Sequence, residues 1–226
     1  MTLKEKAYDT IKRNILICQY APGQSLNEDM LCSDLKISRT PVRDALSRLN
    51  QENLIKIIPK KGIRITSIKF SDLNDLYDAR LFMEPQLVLN FGKNASKEKL
   101  LTFLRDISAL NLENVNTLDY TEKDMEFHGY IFSLANNPYF TNFYDNLATM
   151  DYRISVLGGV APIERRNKSK EEHIEILKLL LNGDFEGASE TLKQHIQAAR
   201  RSKYDLLMTD SKFASYFTIQ RSDCKV

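Results

Sequence analysis

The chain has 226 residues, of which 42% are hydrophobic and 27% charged, and a net charge of +2; this is enough for one large domain or two small ones. No apolar run approaches the ~18 residues a membrane span needs, and Met1-Thr2-Leu3-Lys4-Glu5-Lys6 lacks a signal-peptide core. Three cysteines, Cys18, Cys32 and Cys224, show no metal spacing and point to a reducing compartment, hence the cytoplasm. The small net charge hides an asymmetry. Residues 1–66 carry 12 Lys and Arg against 7 Asp and Glu, and the remainder 20 against 23. Only the first third favours a polyanionic partner.

Residues 4–17 carry Ala7, Ile11, Ile15 and Leu16 at helical spacing, and the helix should stop at Tyr20-Ala21-Pro22-Gly23. A short helix over 27–35 follows, with Leu31 and Leu35 inward. Ser25 with Glu28 fits a capping box there, and Asn27 is an equally good cap. The next helix begins at Ser38, which can cap it, and Pro41 falls in its first turn, where a missing N–H costs nothing. Val42, Ala45, Leu46 and Leu49 form its apolar stripe, while Arg39 and Arg43 lie four apart on another face with Thr40 beside them. A helix that buries one face and shows two arginines suits a DNA major groove, where Arg can reach guanine O6 and N7. The alternative is a solvated surface helix. Two β-branched runs, 54–58 and 63–66, flank Pro59-Lys60-Lys61-Gly62 and read as a hairpin. Helix-turn-helix followed by a basic hairpin is a winged helix, and its wing, with Lys60 and Lys61, is expected on phosphates or in the minor groove.

From Ser71 onward the pattern is helical, with no further strand signal. Seven helices are expected, at about 71–92, 96–113, 120–136, 139–157, 162–182, 184–206 and 213–217. Pro85 should kink or interrupt the first. The fifth is so polar at its start that a loop is the alternative there. A set of this size forms a bundle. The expected class is therefore mainly α, with a winged helix-turn-helix domain over 1–68 and an all-helical domain over 69–226.

All three histidines fall in the second region. Asp124 and His128 are an i, i+4 pair and point two ligand atoms at one place. His173 lies 10 residues before Gly183 and His195 lies 12 after it, so across an antiparallel helix pair they sit at matching heights. Asp124, His128, His173 and His195 can thus meet in one cavity. Imidazole with carboxylate suits a divalent metal, zinc foremost, with nickel, manganese and iron as alternatives. The competing view makes each histidine a surface or satisfied core residue.

The run Pro22-Gly23-Gln24-Ser25-Leu26-Asn27-Glu28, then Ile37-Ser38-Arg39-Thr40-Pro41-Val42-Arg43-Asp44-Ala45-Leu46, then Leu54 and Gly62, resembles the GntR family of bacterial transcription regulators. The resemblance implies DNA contacts by Ser38, Arg39, Thr40, Arg43 and Gly62. Asp29 departs from members that carry a basic residue there, and that contact is not carried over. The second region is similar to the FCD ligand-sensing domain of the FadR-type branch. The matching residues are Asp124-Met125-Glu126-Phe127-His128, Asn137-Pro138, Glu172-His173 and the stretch from Asn182 to His195. That likeness implies a metal held by Asp124, His128, His173 and His195 beside a small organic or sugar acid. Arg80 and Arg153 are candidates for the acid's other end, the alternative for either being a structural ion pair such as Arg80 with Glu84. The expected protein is a homodimer on a pseudo-palindromic double-stranded operator, with no membrane partner. The rival functions are a metal-dependent hydrolase or lyase, and a regulator that senses the metal itself.

Overall fold

A computed structural model describes residues 1–159 and 161–218. Contacts divide the chain into two units, Met1–Phe70 with the tail from Ser215, and Ser71–Ala214. The architecture is mainly helical: a winged helix, then a helical bundle.

The first unit holds α1 (Leu3–Leu16), β1 (Ser25–Leu26), α2 (Glu28–Leu35), α3 (Arg39–Gln51), β2 (Ile55–Ile58), β3 (Gly62–Ile65) and β4 (Ile68–Lys69). The α3 stripe is fully used: Val42, Ala45, Leu46 and Leu49 are buried against Ala7, Ile11 and Ile15 of α1 and Leu31 of α2. The hairpin pairs antiparallel in the register Ile55↔Ile65 to Ile58↔Gly62. A third strand joins it, because Ser25 and Leu26 pair with Arg64 and Ile63. Ser25 is therefore strand rather than part of a capping box. Asn27 caps α2 alone, its Oδ1 accepting from the Met30 N–H at 2.7 Å. Ser38 occupies the N-cap position of α3, yet its side chain makes no capping bond.

The second unit contains α4 (Phe70–Phe91, its first residue in the first unit), α5 (Lys97–Ala109), α6 (Thr117–Ser133), α7 (Pro138–Leu157), α8 (Ile163–Leu181) and α9 (Phe185–Thr209). Helix α8 packs on α9 and α5, and α6 on α7. Helix α4 runs unbroken through Pro85. The polar start of α8 is helix, not loop. Several of its charged side chains are anchored: Arg165 takes Glu172 through two bonds of 2.9 Å, and Lys170 Nζ donates to the Ser108 and Leu110 carbonyls at the end of α5.

The tail differs from the expected seventh helix. A short α10 (Ser211–Ser215) leads into β5 (Phe217–Thr218), which pairs in parallel with β4. Two-residue strands carry no readable alternation, and this pair joins segments about 150 residues apart. Among the described residues no helix is long and apolar enough to cross a membrane. Among the described residues Cys18 and Cys32 form no disulfide, and Cys224 lies outside them.

Candidate metal centre and nucleic-acid interface

Three helices of the second unit bring four ligand atoms together. Helix α6 supplies Asp124 and His128 one turn apart, α8 supplies His173, and α9 supplies His195. The turn that sets α8 against α9 needs Gly183 at φ +76, and Asp184 Oδ1 then accepts from the Gly187 N–H at 2.8 Å to start α9. One ligand atom from each of the four residues lies within 4.8 Å of the others. His173 Nε2 is 3.2 Å from His195 Nε2 and 3.5 Å from Asp124 Oδ1, and His128 Nε2 is 3.9 Å from Asp124 Oδ2. Ligands at about 2.1 Å from one ion stand roughly 3–4 Å apart. The residues present therefore fit a divalent cation.

The outer ring nitrogens support the same fit. His128 Nδ1 lies 2.5 Å from Glu84 Oε2, and His195 Nδ1 lies 2.7 Å from Glu172 Oε2. Burial alone would raise the pKa of Glu84, but Arg80 and His128 overcome it and hold the pKa near 2. Burial also opposes the charge of Glu172, and bonds from His195 and Arg165 likewise bring it to about 2. Both carboxylates are ionised near neutrality, so each accepts an Nδ1–H. In a neutral ring held this way Nε2 is a bare lone pair facing inward, the arrangement that orients histidine ligands around metals. His128 Nε2 is buried with no hydrogen-bond partner. Burial, and then the neighbouring rings, press His173 well below its ordinary value; burial also lowers His195 despite Glu172. Neutral imidazoles are what ligation requires.

A cavity of about 80 Å³ abuts this set, lined by Arg80, Asp124, Asp151, Arg165, His195 and Lys203, with hydroxyls from Tyr120, Thr121, Ser155 and Ser169. A wider cleft of about 590 Å³ shares Arg165 and Lys203 with it. Arg80 is 5% exposed; its Nε donates to Glu84 at 2.7 Å and its Nη1 to Asp151 at 2.6 Å. The expected Arg80–Glu84 pair is thus present, and Arg80 Nη2 remains buried without a hydrogen-bond partner. Arg153 is buried but does not line the cavity. Asp151 and Ser155 share the cavity face of α7, and a residue two positions from each turns to the opposite side.

In the winged helix, Ser38, Arg39, Thr40 and Arg43 are exposed together at the start of α3, and Lys60 and Lys61 are exposed at the wing tip. Gly62 is half-buried and has a backbone reason to be glycine. Its φ is +92, and a Cβ there would come 2.8 Å from the Leu26 carbonyl oxygen across the β1–β3 pairing. Arg39 Nη2 bonds Asp29 and Arg43 Nε bonds Glu28, each at 2.8 Å. Sequence reasoning named Glu28 and Asp29 but not as partners of these arginines, and it missed Glu84 and Glu172 as partners of the histidines. A helical period could have flagged none of the four, because each contact crosses between elements.

Residues 3–65 match the family model for bacterial regulatory proteins of the gntR family, and residues 75–198 match that of the FCD domain. The Nta operon transcriptional regulator of Aminobacter aminovorans is 28% identical over 180 residues, 79% of this chain and 83% of that protein. The gluconate operon transcriptional repressor of Bacillus licheniformis is 25% identical over 189 residues, 82% and 71% of the two chains. Among solved structures, one described as a GntR regulator from Rhodococcus sp. RHA1 superimposes with a TM-score of 0.74 at 19% identity, covering 91% of this chain and 99% of that one. That likeness concerns the fold. The families and relatives are regulators and not enzymes, which sets aside the hydrolase or lyase reading.

Proposed function

The chain belongs to the GntR family of bacterial transcriptional regulators and carries an FCD domain, and from that premise we propose that a small carboxylate, bound beside a divalent metal ion in the helical bundle, sets its affinity for an operator. The observation that carries this reading is the convergence of three inward Nε2 atoms and Asp124 beside a cavity that holds an unpartnered, buried Arg80 Nη2. Asp124, His128, His173 and His195 would hold the ion, zinc first among the candidates for three imidazoles with a carboxylate. The ion would supply Lewis acidity and open coordination positions. Arg80 Nη2 gives an organic or sugar acid a charge-assisted donor, and the hydroxyls around it suit a polar body. A relative named for a gluconate operon agrees with an acid of this class.

The winged helix supplies the output. GntR regulators bind DNA, and α3 offers Arg39 and Arg43 to the major groove with Ser38 and Thr40 at its entry; Lys60 and Lys61 reach the backbone from the wing. A homodimer on a pseudo-palindromic site in the cytoplasm completes the reading. Effector and operator then oppose each other if each prefers a different arrangement of the paired winged helices.

Metal content by mass spectrometry on purified wild type and His195→Ala, paired with titration by a panel of small acids, tests it. About one equivalent per chain in the wild type, and an empty, acid-blind variant, is the expected result. Wild type that stays metal-free after incubation with zinc, nickel and manganese yet binds an acid overturns the metal.

A further inference from the structure

The two arginines at the head of α3 are not equivalent, and the difference lies in which nitrogen each gives to α2. Arg43 donates through Nε to Glu28 Oε2 at 2.8 Å, and among the described residues this is its one hydrogen bond. Its terminal Nη1 and Nη2 are left as an open pair. Two parallel N–H donors at the end of a guanidinium match guanine O6 and N7. Arg39 instead donates through Nη2 to Asp29 Oδ1 at 2.8 Å. That bond ties one of the terminal nitrogens of Arg39 to α2 but uses only one of its two N–H groups, and Nε and Nη1 stay available.

The acids are held where this works. Asn27 caps α2 and fixes Glu28 and Asp29 in its first turn, where a negative charge also favours the helix N-terminus. The left-handed Lys36, at φ 55, then turns the chain so that α3 begins beside them. In water such exposed pairs contribute little. Against a DNA groove they lose solvent, and a fixed guanidinium surrenders less side-chain freedom on binding than a mobile one.

We propose that Glu28 is a positioning residue for base recognition: by holding Arg43 Nε it presents the terminal nitrogens of Arg43 to one guanine per half-site. This rests on α3 being the recognition helix, as proposed above. Neither acid needs to touch DNA.

The experiment is selection from a randomised duplex library by full-length wild type, E28Q, E28D, D29N and R43A. Competition binding then measures the preference at each base, and circular dichroism checks folding. Wild type should prefer guanine about tenfold or more at one base of each half-site, and R43A should erase that preference. E28Q, and E28D with its shorter reach, should cut it to under about threefold at the same base while other positions keep theirs. D29N, which leaves the Glu28–Arg43 bond intact, should keep the guanine preference at that base. An E28Q motif equal to wild type overturns the proposal, as does an even loss at all positions. R43A that retains every preference is a separate failure, that of the recognition helix itself.

Discussion

Replacing Glu84 by glutamine keeps its volume and removes its charge at the one buried point where the cavity arginine and a proposed metal ligand meet. Glu84 is fully buried and accepts from both Arg80 Nε and His128 Nδ1, at 2.7 and 2.5 Å. A glutamine has one carbonyl oxygen for these two donors, and its amide N–H groups face the other donor without a lone pair. Breaking a buried pair from one side typically costs about 3–5 kcal/mol. Arg80 retains Asp151 at 2.6 Å, so we expect less than this range, about 2–3 kcal/mol in the metal-free protein. For a chain of this size that is a fall of roughly 4–12 °C in Tm. Losing the carboxylate behind His128 also frees its ring to rotate and to change tautomer, which should weaken metal binding about 10–100-fold. Urea unfolding of the metal-free protein gives the first quantity, and zinc competition against a chromophoric chelator gives the second. Glu126→Gln on the exposed face of α6 serves as control and should move stability by less than about 0.5 kcal/mol. A Glu84→Gln variant as stable as wild type, with unchanged zinc affinity, would refute both the buried pairing and the orienting role.

Two further outcomes rest on the same geometry. Gly62→Ala sets a Cβ at 2.8 Å from the Leu26 carbonyl oxygen with φ at +92, so it should destabilise the winged helix by about 1–3 kcal/mol and weaken binding to every duplex alike; an unchanged melting curve argues against the three-stranded wing. Acid should act in two windows. His173 and His195 have folded pKa values below the ordinary 6.5, so the unfolded chain binds protons first, and stability that is full above about 6.5 declines as pH falls beneath it. Glu84 and Glu172, near 2 against an ordinary 4.5, add a second decline from about 4.5 downward. Bound metal should leave in the upper window, and metal retention at pH 4.5 measured by equilibrium dialysis contradicts this.

Much of this was legible in the chain, and the parts that were not share a cause. The α3 stripe of Val42, Ala45, Leu46 and Leu49 is local, and each residue is buried as the period requires. Asp124 with His128, and His173 with His195 across a Gly183 turn, are also encoded in short spacings. Glu84 sits 44 residues from His128 and Glu172 sits 23 from His195; no period connects such pairs, so their orienting contacts surface only once the helices are packed. Arg153 shows the converse. Its residue type suits an anion, but its phase on α7 relative to Asp151 and Ser155 faces it away from the cavity. Ser25 reads as a cap because Glu28 stands three residues on, whereas Leu26 beside it needs burial, and pairing with Ile63 provides that.

The central claim is that a small acid at the Asp124, His128, His173 and His195 site controls DNA binding. Fluorescence anisotropy of the full-length, zinc-loaded protein on its selected duplex, titrated with the acid panel, tests it most directly. At least one acid should shift duplex affinity about 5–150-fold, and the shift should vanish in His195→Ala while that variant still binds the duplex. An equal shift in His195→Ala, or affinity that no acid moves in the wild type, contradicts the claim.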